Sequence, residues 1–215
     1  MNNKTYRILL GGKWSLEDLM VFSRIYFQNY SFLYCLETRA IGISSDKIAP
    51  VLNDYELRSG SHYASIYEIF RNHIDKIDLP QIKSIQYASP GWLDLALNPE
   101  VATQFAKVIG IYLGTPVAVA QTYKHLHKIY TDLDKRRKKT KIQSLKLQRT
   151  EIAEANKLTK ELAKGLGFES LEELDLHTKD QEESARLLMA HCRRIKKIAK
   201  FVQSNKASFP LNLYD

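Results

Sequence analysis

Residues 117–164 read VAVAQTYKHLHKIYTDLDKRRKKTKIQSLKLQRTEIAEANKLTKELAK, a run of 48 residues without Gly or Pro. No backbone chemistry in it stops a helix, and a straight helix of that length would extend about 70 Å. A compact chain of 215 residues has a radius of gyration of roughly 17 Å. The run must therefore either protrude or fold back on itself. Its apolar side chains bear on the choice. Val119, Tyr123, Leu126, Tyr130 and Leu133 recur at alternating steps of four and three, and the next positions, Arg137 and Thr140, end the stripe. A second seam follows at Leu145, Ile152, Ala155, Leu162 and Leu166, with polar Gln148 and Thr159 among them. The spacing predicts two amphipathic helices meeting around residues 134–141. They form either an antiparallel hairpin with a basic tip or one long helix with a solvated middle. Compactness favours the hairpin, while the lack of a turn residue favours the long helix.

The same run holds the chain's charge. The formal net charge is +8. Residues 1–123 carry 11 Lys and Arg against 11 acids, and residues 165–215 carry 8 of each. Residues 124–164 carry 13 against 5, which is the whole excess. At its centre stand Lys135, Arg136, Arg137, Lys138, Lys139 and Lys141. A localised tract focuses its field on one place, unlike a generally basic domain.

Toward the N-terminus, residues 5–11 alternate as a strand, with Tyr6, Ile8 and Leu10 on one face. After Gly11-Gly12, Ser15-Leu16-Glu17-Asp18 reads as a helix cap. An aromatic-rich helix is expected from Leu16 to about Glu37, more fitting as core than as a stacking platform; from Tyr30 onward a strand is the alternative. Loop or short strands are expected over 39–60, a helix over Tyr63–Lys76 and a strand over Ile82–Ala88. Ser89-Pro90-Gly91-Trp92 ends that strand, with Trp92 expected to cap a core edge. Asn98-Pro99-Glu100 is a strong helix start, and Gly114-Thr115-Pro116 interrupts that helix.

Toward the C-terminus, Gly165-Leu166-Gly167 is a helix stop. Capping patterns at Ser170 and Thr178 open a short acidic helix and a last helix. The last helix sets Ala185, Leu188, Cys192, Ile195, Ala199 and Val202 on one seam, beside a basic stripe of Arg186, Arg193, Lys197 and Lys200. The acids Glu172, Glu173, Asp180, Glu182 and Glu183 could pair with the basic tract. The tail Phe209-Pro210-Leu211-Asn212-Leu213-Tyr214 should dock apolar side chains.

The fold class that follows is α+β and predominantly α-helical. A small N-terminal sheet with helices (residues 1–98) precedes a C-terminal helical bundle or antiparallel coiled-coil hairpin (99–215).

The search for chemistry excludes more than it finds. Gly11-Gly12-Lys13 lacks the spacing of a phosphate loop, and no GxSxG or HExxH occurs. His125 and His127 stand about 200° apart on a helix, one expected exposed and one interfacial, so they do not share a metal. Ser61, His62 and Asp75 have nothing that fixes them as a triad. Cys35 and Cys192 fall in apolar helical patterns as small buried hydrophobes, and no CxxC occurs. A reducing cytoplasm is expected, and neither a cofactor nor a metal is called for. The apolar part of residues 108–127 is too short for a stable transmembrane anchor.

Three functional classes follow. The leading one is a non-enzymatic interaction protein that self-associates or binds a protein partner through amphipathic helices, with Tyr123, Leu126, Tyr130, Leu133, Leu188, Cys192 and Ile195 at the interface. The second is sequence-independent nucleic-acid binding through residues 135–141 and the stripe at Arg186, Arg193, Lys197 and Lys200. The third is membrane activity, with residues 101–123 inserting and peripheral contact steered by the basic tract.

Overall fold

The computed structural model describes residues 5–36, 66–88, 90–168, 178 and 181–211. The loop expected over 39–60, the acidic helix expected from Ser170, and Ser61 and His62 lie outside the described residues.

The chain folds as a predominantly helical α+β protein. Strand β1 (Thr5–Leu10) turns its alternate side chains Tyr6, Ile8 and Leu10 into the core, as period-two patterning requires. Helix α1 (Leu16–Leu36) starts on a reciprocal cap: Ser15 Oγ accepts from the Asp18 N–H, and Asp18 Oδ2 accepts from the Ser15 N–H. It stays helical to Leu36, so the strand alternative after Tyr30 is not taken up. Its aromatics are core: Phe22, Tyr26, Tyr30, Phe32 and Tyr34 are all buried.

Helix α2 (Ile66–Asn72) ends four residues before the expected Lys76. The turn that leads on to the next strand is held to α1: the Tyr30 hydroxyl donates to the Asp78 carbonyl and the Tyr34 hydroxyl donates to the Asp78 carboxylate. Strand β2 (Gln81–Gln86) follows, exposed along its length. Strand β3 (Gly91–Ala96) was not expected. Pro90 and Gly91 therefore turn a hairpin rather than close the strand region. Leu93 and Leu95 of β3 face the core, while Trp92 stands on the outer face under the Arg7 guanidinium at 4.8 Å. Trp92 thus backs the open side of the sheet instead of capping a core edge.

Helix α3 (Pro99–Gly114) starts with Asn98 Oδ1 accepting from the N–H groups of Glu100 and Val101. It buries Val101, Ala102, Phe105, Val108, Ile109 and Tyr112. Helix α4 (Pro116–Thr140) begins after the expected break. Helix α5 (Arg149–Gly165) is separate from it, and α6 (Gln181–Gln203) is the last helix. Two-residue strand β4 (Ala207–Ser208) closes the sheet, whose order is β2-β3-β1-β4 with every pairing antiparallel.

The 48-residue run is thus a hairpin. Arg136 meets Glu151 near one end, and at the other an added Cβ on Gly165 would stand 2.5 Å from Val119 Cγ2. Those two contacts fix α4 and α5 as antiparallel and closely packed. The break opens at the end of the expected window 134–141: α4 runs to Thr140, and Lys141 takes a left-handed φ of 58° and caps it. Gly167, at φ 83°, ends the second arm.

One core runs from Tyr6 on β1 to Ala207 on β4, across residue 98. Phe209 packs against Phe22, Tyr26 and Phe105, and the Tyr6 hydroxyl donates to the Pro210 carbonyl. Residues 209–210 therefore dock as expected, whereas Leu211 is exposed and residues 212–214 lie outside the described residues. Cys35 and Cys192 are buried free thiols; burial pushes the Cys192 thiol up to about 11, far from the reactive range.

Candidate polyanion interface

The hairpin sorts the basic tract by direction. Arg137 continues the α4 seam four residues after Leu133, so it faces inward, with its side chain only 5% exposed. Its Nη1 and Nη2 donate to the two Glu182 carboxylate oxygens at 2.7 and 2.9 Å, and its Nε donates to the Leu145 carbonyl at 2.8 Å. Arg186 is equally buried. It donates to Glu182 and, through both Nη atoms, to Asp134. Its guanidinium lies 5.1 Å from the Tyr130 ring centre. Two arginines and two carboxylates thus neutralise one another where the hairpin meets the start of α6. This is the acid–base pairing that the sequence allowed for Glu182, made within one molecule.

Arg136 is half-buried, with Nη2 on both Glu151 oxygens at 2.9 and 3.0 Å. That guanidinium, together with the Gln148 N–H donating to Glu151 Oε2, holds the Glu151 carboxyl below its ordinary range. The cations left on the outside are Lys135, which touches Asp132 at 3.2 Å, and Lys138, Lys139 and Lys141. Lys146 and Arg149, which the sequence reading passed over, lie exposed on the loop and the first turn of α5. Among the described residues no carboxylate pairs with Lys138, Lys139, Lys141, Lys146 or Arg149.

The remainder of the α6 stripe, beyond Arg186, is a different place. Arg193 donates to the Tyr123 hydroxyl at 3.1 Å, while Lys197 and Lys200 are exposed. Lys197 lies fifteen residues along α6 from Glu182, about 22 Å. That is well beyond the screening length of about 8 Å at physiological salt, so the tip and the stripe act as separate charges.

The expected helix-interface side chains lie in the chain's own core. Leu126, Tyr130, Leu133, Leu188, Cys192 and Ile195 are buried, and Tyr123 is half-buried. His125 and His127 are both exposed, rather than one being interfacial. No group of three or more metal-ligating side chains occurs among the described residues. No helix among them is long and apolar enough to cross a membrane. Residues 101–112, part of the segment considered for insertion, supply core side chains to α3.

Comparison with protein-family models, with curated proteins and with solved structures finds no match for this chain.

Proposed function

We propose that the chain is an interaction protein that holds a polyanion, the phosphate backbone of a nucleic acid, on the tip of its α4–α5 hairpin. One observation carries the reading: Lys138, Lys139, Lys141, Lys146 and Arg149 project from the tip with no carboxylate partner among the described residues. The buried pairs beneath them hold the tip in one shape, so these cations are presented on a rigid support. Phosphate contacts of this kind give affinity without base readout. No exposed aromatic stands among the tip cations, which favours a duplex backbone over stacked single-stranded bases. Association through the apolar helix seams is the weaker reading, since those side chains are occupied within the molecule.

Fluorescence anisotropy with duplex DNA across a salt series tests it. Neutralising Lys135, Lys138, Lys139 and Lys141 to Gln together should abolish measurable binding, or reduce the slope of log K against log salt by up to about 4. A parent chain that does not bind at low salt, or a quadruple variant that binds like the parent, overturns the proposal.

A further inference from the structure

Helices α1 and α6 lie antiparallel: Trp14, just before α1, stacks on Phe201, while Phe32 near its end stacks on His191. Between their outer edges runs a groove of about 550 Å³. Four cations line it: Arg24 from α1, and Arg193, Arg194 and Lys197 from α6. No carboxylate lines it, and among the described residues none pairs with Arg24, Arg194 or Lys197.

Two of the arginines, Arg193 and Arg194, are held rather than loose. Arg194 donates from Nε to Gln28 Oε1 and from Nη1 to the Ala190 carbonyl, both at 3.0 Å, and its guanidinium lies 3.7 Å from the Tyr67 ring centre. Arg193 is anchored on the Tyr123 hydroxyl. Burial, together with the positive charges of Arg193 and Arg24, lowers the proton affinity of Arg194. Arg24, Arg194 and Lys197, like charges in one concave site, repel one another unless an anion joins them. Guanidinium groups set in a fixed orientation suit the oxygens of a phosphate. The α1 wall adds apolar surface, with Met20 65% and Val21 36% exposed. The volume falls in the range that holds a small organic molecule.

We infer that this groove binds a phosphate monoester, its phosphate held by Arg24, Arg193, Arg194 and Lys197 and its apolar part lying against Met20 and Val21. The site is independent of the hairpin tip. The phosphate can belong to a soluble metabolite or to a lipid headgroup, and both offer the same chemistry.

The test uses the full chain with phenyl phosphate, followed by titration calorimetry, and vesicles of phosphatidylcholine with and without phosphatidic acid, followed by flotation. The double variant Arg24→Gln with Lys197→Gln alters exposed side chains, so its fold should persist; circular dichroism checks this. Phenyl phosphate should bind the parent, and the double variant should bind it at least about tenfold more weakly. Variants of Lys138 and Lys139 to Gln should bind it unchanged, which separates this site from the tip. Flotation with phosphatidic acid vesicles alone, lost in the double variant, would assign the phosphate to a lipid and support the same site. The inference is overturned if neither probe binds, if the folded double variant binds like the parent, or if the tip variants lose the binding instead.

Discussion

Arg137 and Glu182, 45 residues apart, form a two-point ion pair at 2.7 and 2.9 Å with side chains 5% and 12% exposed. The most charged stretch of the chain therefore sends one of its members into the interior. Arg186 shares the same glutamate and closes the cluster on Asp134, so one carboxylate joins α4 to α6. The pair organises the tip, since Arg137 also holds the Leu145 carbonyl of the connecting loop.

Breaking this pair from one side leaves a buried charge without its partner. Arg137→Met and Glu182→Gln should each lower unfolding stability by about 3–5 kcal/mol in urea titrations. Arg137→Met combined with Glu182→Gln should cost less than the sum of the single changes. Additive losses would show that the two side chains do not interact in solution.

The neighbouring lysines should behave oppositely. Lys138→Gln, Lys139→Gln and Lys141→Gln touch exposed side chains without ion pairs among the described residues. Each should leave stability within about 0.5 kcal/mol of the parent while weakening duplex binding. A large stability loss from Lys138→Gln would place that side chain inside.

Lys141 offers a direct check of the hairpin. At φ 58° a side chain carries a steric penalty that glycine avoids. Lys141→Gly should therefore stabilise the protein by about 0.5–1 kcal/mol, read from the denaturant midpoint. In an uninterrupted helix the same change would destabilise by about 1 kcal/mol.

His191 sets an acid-side dependence. It is fully buried, stacked on Phe32 at 4.0 Å, and neither ring nitrogen has a hydrogen-bond partner among the described residues. Burial, aided by the charge of Arg194, lowers its pKa from 6.5 to about 3. Between those values the unfolded chain binds the proton and the folded chain does not. Stability should therefore fall as pH drops below about 6.5, approaching about 1.4 kcal/mol per pH unit from this residue alone. His191→Phe keeps a stacking ring and should flatten that part of the profile in denaturation series at pH 7, 6 and 5. An unchanged profile would assign the dependence to other groups.

The local features were legible along the chain because they depend on neighbours a few residues away. Ser15 with Asp18, Asn98 with Pro99, and Gly167 mark helix ends by backbone rules. The four–three spacing of Val119 through Leu133 locates a buried face. Strand β3 was legible too, in the alternation of Trp92 and Asp94 with Leu93 and Leu95, but the Pro90-Gly91 turn was read as an end rather than as the middle of a hairpin. The spacing also pointed to Arg137 as the next inward position. Its charge argued the other way, and only the presence of Glu182 opposite settles that conflict.

Taken alone, the sequence determined the helical class, most of the caps and the segment that holds the net charge. Tertiary structure decided which of those charges are available. A guanidinium is inward and neutralised, or outward and free to meet a ligand, according to what packs across from it. That partner can be distant in sequence, as Glu182 is from Arg137. Charge counts and periodicity act within a few turns of one helix, whereas burial and pairing are set where helices meet.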